Sequence, residues 1–174
     1  MPINRILPTK RAKMAAASSI GAVALVISVL IQPWEALRLH SYRDSVGVWT
    51  ICYGETKGVR RGQTATKAQC DERLRVRVER DFYRPLVACI TDFDRAPITV
   101  QASLISLAYN VGPAAVCRST AADLLRQGKY QDACMAATAY NRAGGSILNG
   151  LVKRRENGDE QRIGEAELCV SGLQ

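Results

Sequence analysis

The sequence has few of the residues that several common kinds of functional site require. It contains one histidine, His40, and no C-x-x-C pair, so a zinc site built from cysteine and histidine is excluded. No G-x-x-x-x-G-K-S/T phosphate loop is present, and no recognisable serine or cysteine nucleophile motif lies near His40, which we assign to the surface or to packing. Aromatic residues make up only 6% of the chain and are not interleaved with the basic residues. We therefore predict no metal, no cofactor and no nucleic-acid partner.

Acidic residues are missing from the first 33 positions, which hold four basic side chains: Arg5, Lys10, Arg11 and Lys13. The whole 174-residue chain has a formal net charge of +8. Residues 34–174 hold 20 basic and 16 acidic side chains, a balance that suits a polyanion such as nucleic acid, anionic lipid or bacterial wall polymer. With 47% hydrophobic and 23% charged residues, the composition is that of a chain that folds.

One long uncharged run, MAAASSIGAVALVISVLI, occupies residues 14–31. As a helix it would rise about 27 Å, slightly less than a hydrocarbon core of about 30 Å. Half of its residues are Ala, Ser or Gly, so its hold on a bilayer should be weak. We predict a basic cytoplasmic leader at 1–13, a signal-anchor helix at 14–32 and a folded domain at 33–174, with the domain exported because the cations stay in the cytoplasm.

Two other interpretations of this run are a cleaved signal peptide and a buried core helix. A signal peptide needs a small-x-small cleavage site just after the apolar run, but the Ala22-Val23-Ala24 site lies inside it. A core helix would not need a cationic leader. We favour an uncleaved anchor that is weak enough to leave the membrane.

Cysteines are absent before position 52, and the six that follow lie in the exported part: Cys52, Cys70, Cys89, Cys117, Cys134 and Cys169. An even number on one side of a membrane segment favours disulfides in an oxidising compartment, while buried free thiols in a cytosolic protein are the alternative. Six cysteines allow fifteen pairings, so the spacing alone does not give the connectivity.

The start of the body shows helix and hairpin signals. Pro33 suits a first helical position, which predicts a short helix carrying Trp34, Glu35, Leu37 and Leu39. The stretch RDSVGVWTICYGE, with Gly47 at a turn, predicts a small hairpin.

The rest of the body has mainly helical patterns. A capping box at Thr66 and Gln69 opens a helix near 66–82, whose arginines, Arg73, Arg75, Arg77 and Arg80, we assign to a solvated face. Pro97 opens an apolar helix that Gly112 ends. Further helices are expected near 119–127, 129–140 and 146–157. The fold class is therefore α+β and mostly helical, with a small sheet near the start of the domain.

Three polar residues near the start of the predicted domain, Glu35, Asp44 and Thr50, could form a hydrolytic site. If Glu35 ends a short helix beside Trp34, partial desolvation favours the protonated carboxyl that a general acid needs. Asp44 follows across a turn, and two carboxyl groups about 6.5–9.5 Å apart leave room for an attacking water. Thr50, on the hairpin, has a hydroxyl that could hold that water. A glutamate and an aspartate within sixteen residues are also commonplace, and threonine is favoured in strands.

The stretch EALRLHSYRDSVGVWTICYGET resembles the active-site segment of the phage-type lysozymes, the endolysins of tailed phages. Their Glu-x8-Asp-x5-Thr pattern is matched at Glu35, Asp44 and Thr50. The resemblance continues through AYNVGPAAVCRSTAADLLRQGKYQDAC and AGGSILNGLVKRRE. It implies a lysozyme-like fold and an N-acetylmuramidase that cuts the β-1,4 bond between N-acetylmuramic acid and N-acetylglucosamine in peptidoglycan. It further implies that Glu35 is the general acid, that Asp44 activates or stabilises, that Thr50 positions water and that Arg38 orients Glu35.

The weak anchor is similar to the signal-arrest-release segment of some phage endolysins. That resemblance implies export by the host secretion machinery, an inactive state on the host inner membrane, and release into the periplasm as a monomer that lyses the cell. We also expect a disulfide between Cys52 and Cys70. Relatives usually have His where this chain has Glu55, and often Trp where it has Tyr140. The alternatives are a lytic transglycosylase that cuts the same bond and a non-catalytic, membrane-anchored wall-binding protein.

Overall fold

Ten α-helices and two short antiparallel hairpins make up the part of the chain that the computed structural model describes, residues 6–17 and 20–173. In chain order the elements are α1 (Lys10–Ala16), α2 (Ala22–Leu25), β1 (Arg38–Arg43), β2 (Trp49–Cys52), α3 (Lys67–Arg77), α4 (Arg84–Cys89), α5 (Ile98–Val111), α6 (Pro113–Cys117), α7 (Thr120–Arg126), α8 (Tyr130–Ala137), β3 (Arg142–Ala143), β4 (Ser146–Ile147), α9 (Asn149–Arg155) and α10 (Glu165–Ser171). The π-helical segments Val26–Ile31 and Val78–Tyr83 continue α2 and α3, and a 3₁₀ turn covers Phe93–Arg95. The predicted α+β class, mostly helical with a small hairpin near the start, is confirmed.

The centre of the core is α5, in which every residue from Thr99 to Ala108 is buried. It packs against α10, α6, α2 and the π-helical continuation of α2. As predicted, it begins directly after Pro97 and ends at Gly112, whose φ of +87° suits glycine because it carries no Cβ.

The apolar run near the N-terminus forms two helices in this structure rather than one. α1 ends at Ala16, and α2 begins after Gly21, which has an extended backbone. The large side chains of the second half lie in the domain core: Leu25, Val26, Leu30 and Ile31 are all at most 1% exposed. Within the described ranges we find no helix with the length and apolar character needed to span a bilayer. Arg5 of the leader, and Ser18 and Ser19 of the run, lie outside the described residues.

The leader also packs on the body. α1 contacts α10, and the backbone N–H of Thr9 donates to a carboxylate oxygen of Glu167 over 3.2 Å. The Thr9 hydroxyl donates to the same oxygen and accepts from the N–H of Ala12, so it also caps α1. Glu167 is fully buried, and these donors help to satisfy its carboxylate.

The prediction that Pro33 opens a helix is wrong, because the helix precedes the proline. The π-helical segment ends at Ile31, and the N–H groups of Trp34 and Glu35 both bond to the Ile31 carbonyl. Proline is common just beyond a helix end, since it has no N–H to continue the ladder. Leu39 accordingly lies on β1 and is 37% exposed.

The other local patterns are largely confirmed. β1 pairs with β2 around a turn at Gly47, where φ is +84°. Thr66 and Gln69 form the expected capping box at the start of α3. Among the arginines assigned to a solvated face, Arg75 and Arg80 are exposed and pair with carboxylates. Arg77 departs from this prediction: its guanidinium lies 5.1 Å from the Tyr109 ring centroid and donates to the Gly54 carbonyl.

All six cysteines are paired. The expected disulfide between Cys52 and Cys70 is confirmed, and the others join Cys89 to Cys117 and Cys134 to Cys169. The first ties β2 to α3, the next element along the chain, and the third ties α8 to α10 across 35 positions.

Candidate active site

Asp44 and Thr50 are held together at the first hairpin through the backbone of Val48. One carboxylate oxygen of Asp44 accepts from the N–H groups of Val46 and Val48, at 3.0 and 2.8 Å. The Val48 carbonyl accepts from the Asp44 N–H at 3.0 Å and from the Thr50 hydroxyl at 3.1 Å. Thr50 is 3% exposed, and a hydroxyl that already donates in this way can accept a hydrogen bond from water. The hairpin therefore fixes both side chains.

Glu35 follows the N-terminal helix and is held from the other end of the chain. The Nη1 of Arg154, on α9, lies 2.7 Å from the Oε1 of Glu35. The Arg154 side chain is only 8% exposed, and that of Glu35 is 26% exposed. Within the described part of the chain, Oε2 of Glu35 makes no hydrogen bond or ion pair. The carboxyl is thus oriented through one oxygen.

A buried network behind Arg154 consists of alternating charges. Arg154 lies 3.4 Å from the carboxylate of Glu165, which also receives Arg155 Nη1 at 2.5 and 2.6 Å and the Ser106 hydroxyl at 2.7 Å. Arg155 donates further to the Asn110 side chain. Glu165 and Arg155 are 3% and 1% exposed, so each charge depends on its partners inside the core. This network sets the position of the cation that binds Glu35.

Sequence reasoning did not single out Arg154 and Arg155, whose contacts with Glu35 and Glu165 appear only in the structure. The segment KRRE was part of the resemblance, but no role was predicted for its arginines. One pattern could have indicated that these arginines are buried. Leu151 lies three residues before Arg154 and Val152 three before Arg155, and residues at that spacing share one face of a helix. Glu165 lies beyond an irregular loop, where no sequence pattern connects it to Arg154.

Arg38, expected to orient Glu35, is placed elsewhere. Its guanidinium carbon lies 5.6 Å from the ring centroid of Tyr42, the residue that pairs with Thr50 across the hairpin. The ion pair of Glu35 is with Arg154. His40 is exposed on β1 and bridges to Thr64, in agreement with a surface assignment.

A polar cluster joins the end of the N-terminal helix to α3. Gln32 Nε2 donates to Asp71 over 3.0 Å, and the Tyr53 hydroxyl donates to the same oxygen over 2.8 Å. The hydrogen bond from Lys67 is the main reason that the pKa of Asp71 lies below its ordinary value, with the Tyr53 hydrogen bond next. The cluster fixes Gln32 three residues before Glu35.

Tyr109 on α5 supports the same region. Its hydroxyl donates to the Tyr53 carbonyl, and burial raises its pKa to about 12, so it remains a neutral donor. Glu55, which stands where relatives usually have His, lies 3.8 Å from the Nε of Arg77 and accepts from the Lys57 N–H. Across residues 6–17 and 20–173, no three His, Cys, Asp or Glu side chains are grouped to hold a metal ion.

The phage lysozyme family model matches residues 32–158, a range that contains Glu35, Asp44, Thr50, Arg154 and Arg155. The chain belongs to the phage lysozyme family. The matched range ends before Glu165, so the carboxylate that binds both arginines lies outside it.

Relatives of this phage lysozyme include proteins named as SAR-endolysins. That of Enterobacteria phage P21 is 34% identical over 176 residues, covering 96% of this chain and 99% of the relative. That of Pseudomonas phage phiKMV is 36% identical over 155 residues, covering 85% and 86%. Membership of the signal-arrest-release subtype of phage endolysins is thereby confirmed.

Among solved structures, the active form of the P1 phage endolysin Lyz superposes with a TM-score of 0.73 over 98% of both chains, at 20% identity. At that identity the likeness concerns the fold alone, and it confirms a lysozyme-like architecture.

Proposed function

We propose that this phage lysozyme hydrolyses the β-1,4 bond between N-acetylmuramic acid and N-acetylglucosamine in peptidoglycan. Glu35 is the general acid that protonates the leaving oxygen, Asp44 activates water or stabilises the developing positive charge, and Thr50 positions that water. The mildly cationic body suits an anionic wall polymer. The reaction needs no metal or cofactor in this scheme.

The observation that carries the proposal is that each carboxyl group is anchored through one oxygen only. Arg154 holds Oε1 of Glu35, and two backbone N–H groups hold Oδ1 of Asp44. Within the residues that the structure describes, the second oxygen of each group has no hydrogen-bond partner. An oriented carboxyl with one free oxygen can transfer a proton or act on a water without first breaking its support.

A tethered, inactive state precedes this active one in our proposal. The side chains of Leu25, Leu30 and Ile31 are buried in the domain core here, and the same side chains would face lipid if residues 14–31 crossed the inner membrane. The two placements exclude each other. While the anchor is in the bilayer, the helix that leads into Glu35 is therefore missing from the core of the domain. The host secretion machinery would thus export a domain whose core is incomplete until the anchor leaves the membrane.

Catalysis is tested by a turbidity assay on outer-membrane-permeabilised cells with the full chain and Glu35→Gln. We expect at least about a 100-fold loss of lysis rate, because general acid catalysis contributes about 10²–10⁴-fold. Glu72→Gln is the matched control, since Glu72 is 61% exposed and, among the residues that the structure describes, pairs only with Arg75. Equal lysis by wild type and Glu35→Gln would refute the assignment.

The mechanism is tested with Asp44→Asn and analysis of the muropeptide products. Hydrolysis predicts a large loss of rate and reducing muramic acid ends. Near-full activity with anhydro-muramic products would instead indicate a lytic transglycosylase.

Release is tested by carbonate extraction of host membranes before and after depolarisation. We expect the protein to move from the membrane fraction to the soluble fraction. Permanent retention in the membrane would contradict the proposed release.

A further inference from the structure

The loop that joins α9 to α10, residues 156–164, is tightly folded around Asp159. One carboxylate oxygen of Asp159 accepts from the N–H groups of Gln161 and Arg162, and the other accepts from Arg162 Nε at 2.9 Å. The ends of the loop approach so closely that a Cβ on Gly158 would lie 2.0 Å from the Arg162 carbonyl oxygen. The loop is thus a preformed surface, with the Arg162 side chain fixed by its own aspartate.

Trp34 binds to this loop. Its indole N–H donates to the Ile163 carbonyl over 3.0 Å, and the guanidinium carbon of Arg162 lies 3.9 Å from the centroid of the indole ring. That separation is well inside the range of about 6 Å over which a cation is attracted to an aromatic face. The two contacts hold the ring from different directions.

Trp34 immediately precedes Glu35, and both residues lie between the helix end at Ile31 and the start of β1. Their two N–H groups both bond to the Ile31 carbonyl, at 3.0 and 2.9 Å, so the backbone ties the two residues to the same point. The guanidinium carbon of Arg154 also lies 6.0 Å from the Trp34 ring while its Nη1 holds Glu35. A shift of Trp34 would therefore move Glu35 relative to Arg154.

The 156–164 loop also contacts the leader. Arg11 Nη2, on α1, donates to the Asp159 carbonyl over 2.9 Å. Two separate points of the N-terminal segment, one before and one after the apolar run, thus reach the same loop. Both contacts require that segment to lie on the body rather than in a membrane.

We propose that Arg162 is a positioning residue that sets the geometry of Glu35 by stacking on Trp34. This inference rests on the proposed role of Glu35 as the general acid. Arg162 does not touch the reacting atoms in this scheme. It limits the movement of the neighbouring Trp34 and, through it, of Glu35. A catalytic group that is misplaced by about 1 Å can lower the rate about 100-fold.

The test measures kcat and KM of the full chain, after release, on soluble peptidoglycan. We expect Arg162→Gln to lower kcat by about 10-fold with little change in KM, because an interaction that sets the transition-state geometry is lost while the substrate-binding surface remains. Arg162→Lys should recover part of kcat, since an ammonium also attracts the ring. Arg95→Gln is the matched control: Arg95 pairs with an aspartate three residues earlier, as Arg162 does, but is 81% exposed. It should behave as wild type.

A double mutant separates positioning from a general loss of stability. If Arg162 acts through Trp34, the double mutant Arg162→Gln with Trp34→Leu, which has no aromatic face, should be at most about 2-fold slower than the slower single mutant. Fully additive losses, or an unchanged kcat for Arg162→Gln, would overturn the inference. In the second case an inactive Glu35→Gln would leave the proposed function intact, whereas an active Glu35→Gln would remove the proposed function itself.

Discussion

Leu30→Ala tests whether the apolar N-terminal run is part of the folded enzyme. Leu30 is 0% exposed and lies in the π-helical segment that packs on α5. Truncation of a fully buried leucine removes its transfer free energy and leaves a cavity, which together cost about 2–5 kcal/mol. We expect the free energy of unfolding of the released protein to fall by that amount.

The same substitution should affect the proposed membrane-inserted state much less. A leucine at the centre of a membrane helix contributes about −0.3 to −0.6 kcal/mol to insertion, and Leu30 is near the end of the run. Leu30→Ala then destabilises the released, folded state by at least about 1.4 kcal/mol more than the membrane-inserted state. That difference shifts the equilibrium between the two states about tenfold toward the membrane. Leu30→Ala should therefore leave a larger share of the protein in the membrane after depolarisation.

Urea unfolding of the soluble full chain, with its disulfides intact, measures the first effect, and carbonate extraction measures the second. Leu7→Ala is the control, because Leu7 is 66% exposed and its truncation should change stability by no more than about 0.5 kcal/mol. Equal unfolding free energies for the two variants would refute the burial of the run in the active enzyme.

Three further outcomes follow from the same contacts. Glu165→Gln should cost about 3–5 kcal/mol in urea unfolding, because it removes the counter-charge of two buried guanidinium groups; a loss below about 1 kcal/mol would contradict the network. Arg162 lowers the pKa of Asp159 from 3.8 to about 2, so their interaction stabilises the protein above pH 4 and is lost as the pH falls to about 2; Asp159→Asn should abolish this part of the acid dependence. Cys52→Ser with Cys70→Ser should lower stability by about 3 kcal/mol for a loop of 18 residues, and an unchanged melting temperature would exclude a structural role.

Local sequence patterns predicted most of the elements around the site. The hairpin that carries Asp44 and Thr50 follows from β-branched residues around Gly47, and the start of α3 follows from its capping box. The spacing of Glu35, Asp44 and Thr50 was readable because all three lie within sixteen residues. The position of the helix before Glu35 was not, because Pro33 is acceptable both at a helix start and just beyond a helix end.

The contacts that hold Glu35 and Trp34 in place could not be predicted from sequence patterns. Arg154 binds Glu35 across 119 positions, and Trp34 reaches Ile163 across 129. No periodicity specifies a contact between residues so far apart, and charge patterning favours solvent for an arginine whose partner is unknown.

The sequence by itself indicated the family, the three candidate catalytic side chains and a long uncharged N-terminal run. It did not determine where that run lies in the folded enzyme, since a core and a bilayer both take leucine and isoleucine out of water. Only the tertiary structure decided this. α5 presents a matching apolar face, Glu167 receives Thr9, and the 156–164 loop receives Trp34, so the run joins the core and brings Glu35 to Arg154.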